Sequence, residues 1–149
     1  MKNIIYAAAW LIVGLAASNS QAQGIKEMDT DTQSVAAVQA LIDQHFVIWA
    51  DRQSDRITKF AATYTTDITV ADYAAIATGY PAVNQVIDRV QAQHEGFKFS
   101  PEPVEWNHGF GRVRWGFGPQ ENPNLIRGED IFTVRDGKLS TLHIFLDKK

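Results

Sequence analysis

Asp72 and Asp130 are the residues of this 149-residue chain best placed to do chemistry, because each interrupts an otherwise apolar strand face. Asp130 lies in Arg127-Gly128-Glu129-Asp130-Ile131-Phe132, the first arm of a hairpin whose second arm runs from Leu139 to Asp147. Asp136-Gly137 supplies the turn, since Gly takes positive φ without a Cβ clash and Asp tolerates it. A carboxylate on the inner face of such a hairpin is costly. Either hydrogen bonds satisfy it as a structural group, or it serves in a pocket. Side chains alternate across a strand, so Asp72 shares a face with Ile68 and Val70 and points toward the interior. Two inward carboxylates in one pocket suit acid/base transfer of a proton.

His143 is the tempting partner for Asp130. A two-residue loop at Asp136-Gly137 sets them opposite each other as a cross-strand acid-base dyad. A type I turn followed by a Gly bulge instead puts Leu142 opposite Asp130. Leu142, Ile144 and Leu146 form the uniformly apolar face of the last arm, while Thr141, His143, Phe145 and Asp147 form a mixed one. Burying the apolar set beside Phe132 and Val134 favours the bulged register, with His143 on the convex face or at an oligomer contact. Asp130 then works with Asp72 instead.

The other candidates have blander readings. His94 suits the C-terminus of a helix, where the dipole favours a cation. His45, beside Phe46, either reaches a pocket mouth or lies on a solvated flank, and His108 sits in a turn, Asn107-His108-Gly109. No two His residues have metal-site spacing, so no metal is expected. Gly109-x-Gly111 and Gly116-x-Gly118 lack a third Gly at dinucleotide spacing and read as turn or bulge glycines.

The elements that must position these groups follow from periodicity. Val35, Val38, Leu41, Ile42, Phe46 and Trp49 mark one face of a long helix, with Thr30, Asp31 and Thr32 as candidate caps. Ser54 precedes a shorter helical pattern, Ile57, Phe60, Ala61 and Tyr64. From Asp67 the period becomes two, a strand. Gly79-Tyr80-Pro81 breaks the chain, and Val83, Val86, Ile87 and Val90 then mark a third helix stopped by Gly96. The remainder is strand-like: Phe97–Ser100, Pro103–Asn107, Phe110–Phe117, Ile126–Arg135 and Leu139–Asp147. Pro101-Glu102-Pro103 makes the first two one bent or edge strand. Within Phe110–Phe117, Arg112 and Arg114 face outward and Trp115 inward. The order α-α-β-α followed by a β-meander predicts an α+β fold, a curved antiparallel sheet wrapped around N-terminal helices.

Bulk properties narrow the setting. Lys2, the apolar run Ile4–Ala17 of 14 residues and the polar stretch Ser18–Gln23 have signal-peptide grammar. The run is shorter than the about 20 residues that span a bilayer. Ser20-Gln21-Ala22 offers small residues where a signal peptidase reads. Residues 1–22 are therefore expected to be a signal peptide, residues 23–31 a flexible N-terminus and residues 32–149 one domain, in a periplasmic or secreted protein. The mature chain from Gln23 has 127 residues by subtraction, enough for one sizeable core. With no Cys it has neither disulfides nor thiol chemistry. A formal charge of −3, falling to −4 when Lys2 leaves with the signal, gives no basic face for nucleic acid or an anionic membrane.

The element order, with Thr66-Asp67-Ile68-Thr69-Val70-Ala71-Asp72, Gly79-Tyr80-Pro81-Ala82-Val83 and the final hairpin, resembles the nuclear transport factor 2-like superfamily, in its SnoaL-like polyketide cyclase and ketosteroid isomerase branch. The resemblance covers almost the whole mature chain and implies a cone with a pocket at its wide end. It also implies roles: Asp72 matches the isomerase's base, and Asp130 the acid that donates a hydrogen bond to the developing oxyanion, one Asp ionised and one protonated. Phe46-Val47-Ile48-Trp49 lacks the helical Tyr of the isomerase, and Ile144 stands where the cyclases carry an Asp. The full steroid-isomerase triad is not expected.

Two functional classes follow. One is a cofactor-free isomerase, cyclase or lyase acting on a small apolar molecule in a pocket lined by Trp49, Tyr73, Trp115, Phe132, Leu142 and Ile144. The other is a non-catalytic carrier or interaction domain of the same fold, with a homodimer through the outer sheet face as its macromolecular contact. Asp72 and Asp130 converging on one empty cavity favour the enzyme; a filled cone, or an Asp130 capped by backbone N–H groups, favours the module.

Overall fold

The computed structural model describes residues 34–148, all within the compact unit Asp31–Lys149. The expected signal peptide, the N-terminal segment 23–31 and the candidate caps Thr30 to Thr32 lie outside the described residues.

Helix α1 spans Val35–Ala50, and the cap is Ser34, whose Oγ accepts a hydrogen bond from Ala37 N at 3.2 Å. Its buried face carries Val38, Ile42, Phe46 and Trp49, broadened by His45 and Ile48. The second helical stretch is shorter than its periodicity predicts: a 3-10 turn Arg56–Lys59 runs into α2, Phe60–Thr63, and Tyr64 already belongs to a strand. No side chain caps this stretch. Buried Arg56 holds it against the third helix, donating to the carbonyl of Asp51 and to Asn84, Asp88 and Gln91.

Strand β1 covers Tyr64–Ala71, with Ile68 and Val70 buried on one face. A turn leads to β2, Ile76–Thr78, an antiparallel partner of β1 that the sequence reading lacked. Helix α3, Tyr80–Gln93, begins at Gly79 with Pro81 in its first turn and ends at His94. Strands β3, Lys98–Pro101, and β4, Glu105–Asn107, both pair with β5, Phe110–Gly118, so they are one edge strand broken around Glu102-Pro103. Strands β6, Ile126–Arg135, and β7, Lys138–Leu146, complete a meander.

The seven strands form one sheet in the order β2-β1-β7-β6-β5-β3, with β4 on the same edge of β5. All pairs are antiparallel except β1 with β7, which run parallel. The expected α+β architecture stands: a curved, unclosed sheet whose inner face packs on the helices through Val38, Ile42, Phe60, Ile68, Ile87, Phe132, Leu139 and Leu142. On the outer face Arg112 pairs with Glu105 at 2.8 Å, and Arg112 and Arg114 each lie 3.8 Å from Glu129.

The hairpin register differs from both expectations. Asp136 and Gly137 have φ of 53° and 71°, a two-residue turn with Arg135 opposite Lys138. Ser140 is then an extra residue between the pairs Val134–Leu139 and Thr133–Thr141, and its Oγ donates to the Thr133 carbonyl. The slip places Ile144 opposite Asp130, not Leu142 and not His143. Parity is what the apolar pattern required, with Leu142 buried and His143 exposed, but the bulge lies in β7 instead of the turn. The glycines also need correcting. Gly109 is in a turn, whereas Gly111, Gly116 and Gly118 lie within β5. A Cβ on Gly111 would come within 2.0 Å of the Phe132 ring, so this glycine makes room for core packing.

Candidate functional site

Four buried polar groups form a chain across the inside of the cone. His45 projects from the apolar stripe of α1, and Tyr64 opens β1. Asp130 lies mid-β6, opposite Val113 of β5 and Ile144 of β7. Trp115, two residues on from Val113 and on the same face, reaches back diagonally. The Trp115 indole N–H donates to Asp130 Oδ1 at 2.9 Å, His45 Nε2 lies 3.5 Å from Asp130 Oδ2, and His45 Nδ1 is hydrogen-bonded to the Tyr64 hydroxyl at 2.9 Å. His45 and Asp130 are each only 2% exposed.

The proton inventory of this chain is constrained. An indole nitrogen can only donate, so Asp130 Oδ1 must accept. When Asp130 is a carboxylate, the imidazole carries its proton on Nε2 and Nδ1 accepts the Tyr64 O–H. Burial pushes the Tyr64 phenol far above its ordinary value; the Trp49 indole N–H pulls the other way, and the Asp130 charge adds to the rise. Tyr64 therefore keeps its hydroxyl proton and holds the ring of His45 in place. Gly128 lets Trp115 sit where it does, for a Cβ there would meet the indole at 2.8 Å and the Phe145 carbonyl at 2.6 Å.

Asp130 and His45 open on a cavity of about 160 Å³. Phe46, Trp49, Phe99, Trp115 and Phe117 form one aromatic wall, with Phe99 and Phe117 stacked at 4.2 Å. Val86 and Val90 of α3, Ile126, Ile144 and Leu146 supply aliphatic surface. His94, at the end of α3, also lines it, its Nδ1 3.0 Å from the Val90 carbonyl.

Asp72 lines the same cavity from outside the strand. It lies one residue beyond β1 and is exposed, so it is not the inward strand residue that parity suggested. Its Oδ1 accepts hydrogen bonds from the backbone N–H groups of Ala74 and Ala75, both at 2.8 Å, which fixes the turn between β1 and β2. That leaves Oδ2 as the oxygen available to a ligand.

The remaining expected site residues divide. Trp49, Trp115 and Ile144 line the cavity. Phe132 and Leu142 are fully buried core residues and are not among its lining. Tyr73 is 69% exposed, its ring set edge-on to Phe145 at 6.2 Å. The side chain facing Asp130 is His45, not Asp72 and not His143. A signal for it was present: position 45 falls on the buried stripe of α1, three residues after Ile42 and four before Trp49. Among the described residues no cluster of three His, Cys, Asp or Glu side chains is placed to hold a metal ion.

No protein-family model and no curated protein matches the sequence. Solved structures do match. A candidate isomerase of the SnoaL-like family from Agrobacterium tumefaciens is 14% identical, with a TM-score of 0.69 over 76% of this chain and 99% of that one. A candidate SnoaL-like polyketide cyclase from Jannaschia is 14% identical, with a TM-score of 0.64 over 80% and 92%. A candidate ketosteroid isomerase from Kribbella flavida is 15% identical, with a TM-score of 0.58 over 76% and 80%. The chain therefore has the nuclear transport factor 2-like fold, in the form shared by SnoaL-like and ketosteroid isomerase-like proteins.

Proposed function

We propose that this is an exported protein that binds a small, largely apolar molecule in the cone and moves a proton on it by isomerisation, cyclisation or dehydration next to a carbonyl. The observation that carries the reading is that Asp72 and the His45–Asp130 pair line one cavity whose other walls are largely apolar. Asp130 is held by an indole N–H and an imidazole instead of backbone N–H groups, as a working acid would be. Such chemistry needs positioned acids and bases and no cofactor.

In this reading Asp72 Oδ2 takes a proton from the carbon beside the carbonyl. The C–H electron pair passes into the enolate, and the oxygen of that enolate meets the proton held by the Asp130–His45 pair. Where the substrate carries a β,γ double bond, return of the first proton from Asp72 to the γ-carbon of the resulting dienolate moves that double bond into conjugation and completes an isomerisation. The 3.5 Å separation of Nε2 and Oδ2 is long for a hydrogen bond, and catalytic contacts of this kind tighten around a ligand oxygen. Turnover by Asp72→Asn compared with the parent chain tests this: equal rates sink the mechanism.

One observation favours a second reading, a carrier of the same fold. Both ring nitrogens of His45 and both oxygens of Asp130 already have protein partners, as in a purely structural network. Ligand binding without any proton exchange on the ligand would select it.

A further inference from the structure

The cavity is small and its charge is one-sided, and together these narrow what can occupy the site. Resting on the proposed function, we infer that the ligand is an uncharged carbonyl compound of about one ring, and that both polycyclic and anionic molecules are excluded.

Size comes first. A cavity of about 150 Å³ in another protein takes up benzene, so the 160 Å³ here fits one ring with a substituent or two. The cone is narrowed from within by aromatic packing. Phe99, from the edge strand β3, lies 4.2 Å from Phe117, 5.4 Å from Phe46 and 5.7 Å from Trp115 between ring centroids, so it fills space that a larger ligand would need. These rings brace one another across α1, β3 and β5, and a rigid wall of this kind does not swing aside cheaply.

Charge comes second. Among the described residues the lining contains two carboxylates, Asp72 and Asp130, and neither Lys nor Arg. Of its two imidazoles, His45 lies beside the Asp130 carboxylate, which offsets any charge the ring carries, and His94 has Nδ1 3.0 Å from the Val90 carbonyl. A ligand carboxylate or phosphate would be desolvated without a countercharge and beside like charge, whereas a neutral carbonyl oxygen can accept a proton from the Asp130–His45 pair.

The test is a binding panel on the full chain, read by quenching of the cavity tryptophans Trp49 and Trp115 and checked by calorimetry. The probes are benzaldehyde, benzoate, a bicyclic ketone (2-tetralone) and a steroid enone. Benzaldehyde should bind about tenfold or more tightly than benzoate, and the steroid should not bind measurably. Phe99→Ala should admit 2-tetralone about tenfold better than the parent does, and so narrow or reverse the preference for benzaldehyde over 2-tetralone. Equal binding of benzoate, binding of the steroid or 2-tetralone by the parent chain as tight as that of benzaldehyde, or no binding by any probe overturns the inference. Hydrogen–deuterium exchange at the α-carbon of cyclohexanone separates this from the catalytic reading. Size and charge selectivity without exchange contradicts catalysis and leaves the ligand class standing; exchange with steroid binding does the reverse.

Discussion

His45 Nε2 stands 3.5 Å from Asp130 Oδ2 in the interior of the cone, with Tyr64 behind the imidazole and Trp115 behind the carboxylate. The pair joins the first helix to the middle of the sheet, so its energetics belong to folding as well as to chemistry.

Removing one member strands the other. His45→Leu leaves a carboxylate oxygen buried without its partner, and the variant should lose about 1–3 kcal/mol of stability in urea unfolding. His45→Leu combined with Asp130→Leu should lose less than the sum of the two single changes, since the double variant leaves neither polar group exposed to an apolar wall. Strict additivity would show that the two side chains do not interact.

Asp130→Asn keeps the shape of the side chain and an oxygen for the Trp115 N–H. Ligand affinity should stay within about threefold of the parent, while turnover falls about 100-fold or more. Loss of binding equal to the loss of turnover would assign Asp130 to binding instead.

Tyr64 sets an alkaline limit. Its folded-state value is raised above 10.0, the value an exposed phenol has. Below pH 10 the phenol is neutral in both folded and unfolded chains and its hydrogen bond to His45 is fully present. Above pH 10 the unfolded chain ionises and the folded one does not, so this contribution shrinks by about 1.4 kcal/mol per pH unit. The stability difference between the parent and Tyr64→Phe, measured by urea unfolding from pH 8 to 11, should therefore narrow above pH 10; a constant difference would contradict the buried phenol.

Export predicts a processed N-terminus. Intact mass of the protein recovered from the periplasm or medium should correspond to a chain beginning at Gln23. A full-length mass in the cytoplasmic fraction is the contrary result.

Most of the architecture was legible because the long elements repeat strongly. Alternation in Phe110–Phe117 and Ile126–Arg135, and the stripe Val38, Ile42, Phe46, Trp49, follow from burial of one face. Three features were less accessible. Strand β2 has three residues, too few to show a period. The bulge at Ser140 depends on a local hydroxyl cluster, with Thr133 Oγ1 hydrogen-bonded to Ser140 Oγ at 2.9 Å and to Thr141 Oγ1 at 2.6 Å, and nothing in the turn residues announces it. The sequence leaves His45 open between a pocket mouth and a solvated flank although it sits on the buried stripe, because its partners come from 19 and 85 residues further along the chain, at Tyr64 and Asp130. Asp72 illustrates the converse limit: strand parity assigned its side, but the strand ends one residue earlier and the side chain caps a turn at the rim.

Proton exchange tests the account at its centre. The full chain is incubated with cyclohexanone in deuterated buffer, and loss of the α-hydrogen signal is followed by NMR for the parent and for Asp72→Asn. Exchange about tenfold or more above buffer is expected for the parent, falling to the buffer rate in Asp72→Asn. Exchange at the buffer rate in the parent, or undiminished exchange in the variant, would contradict it.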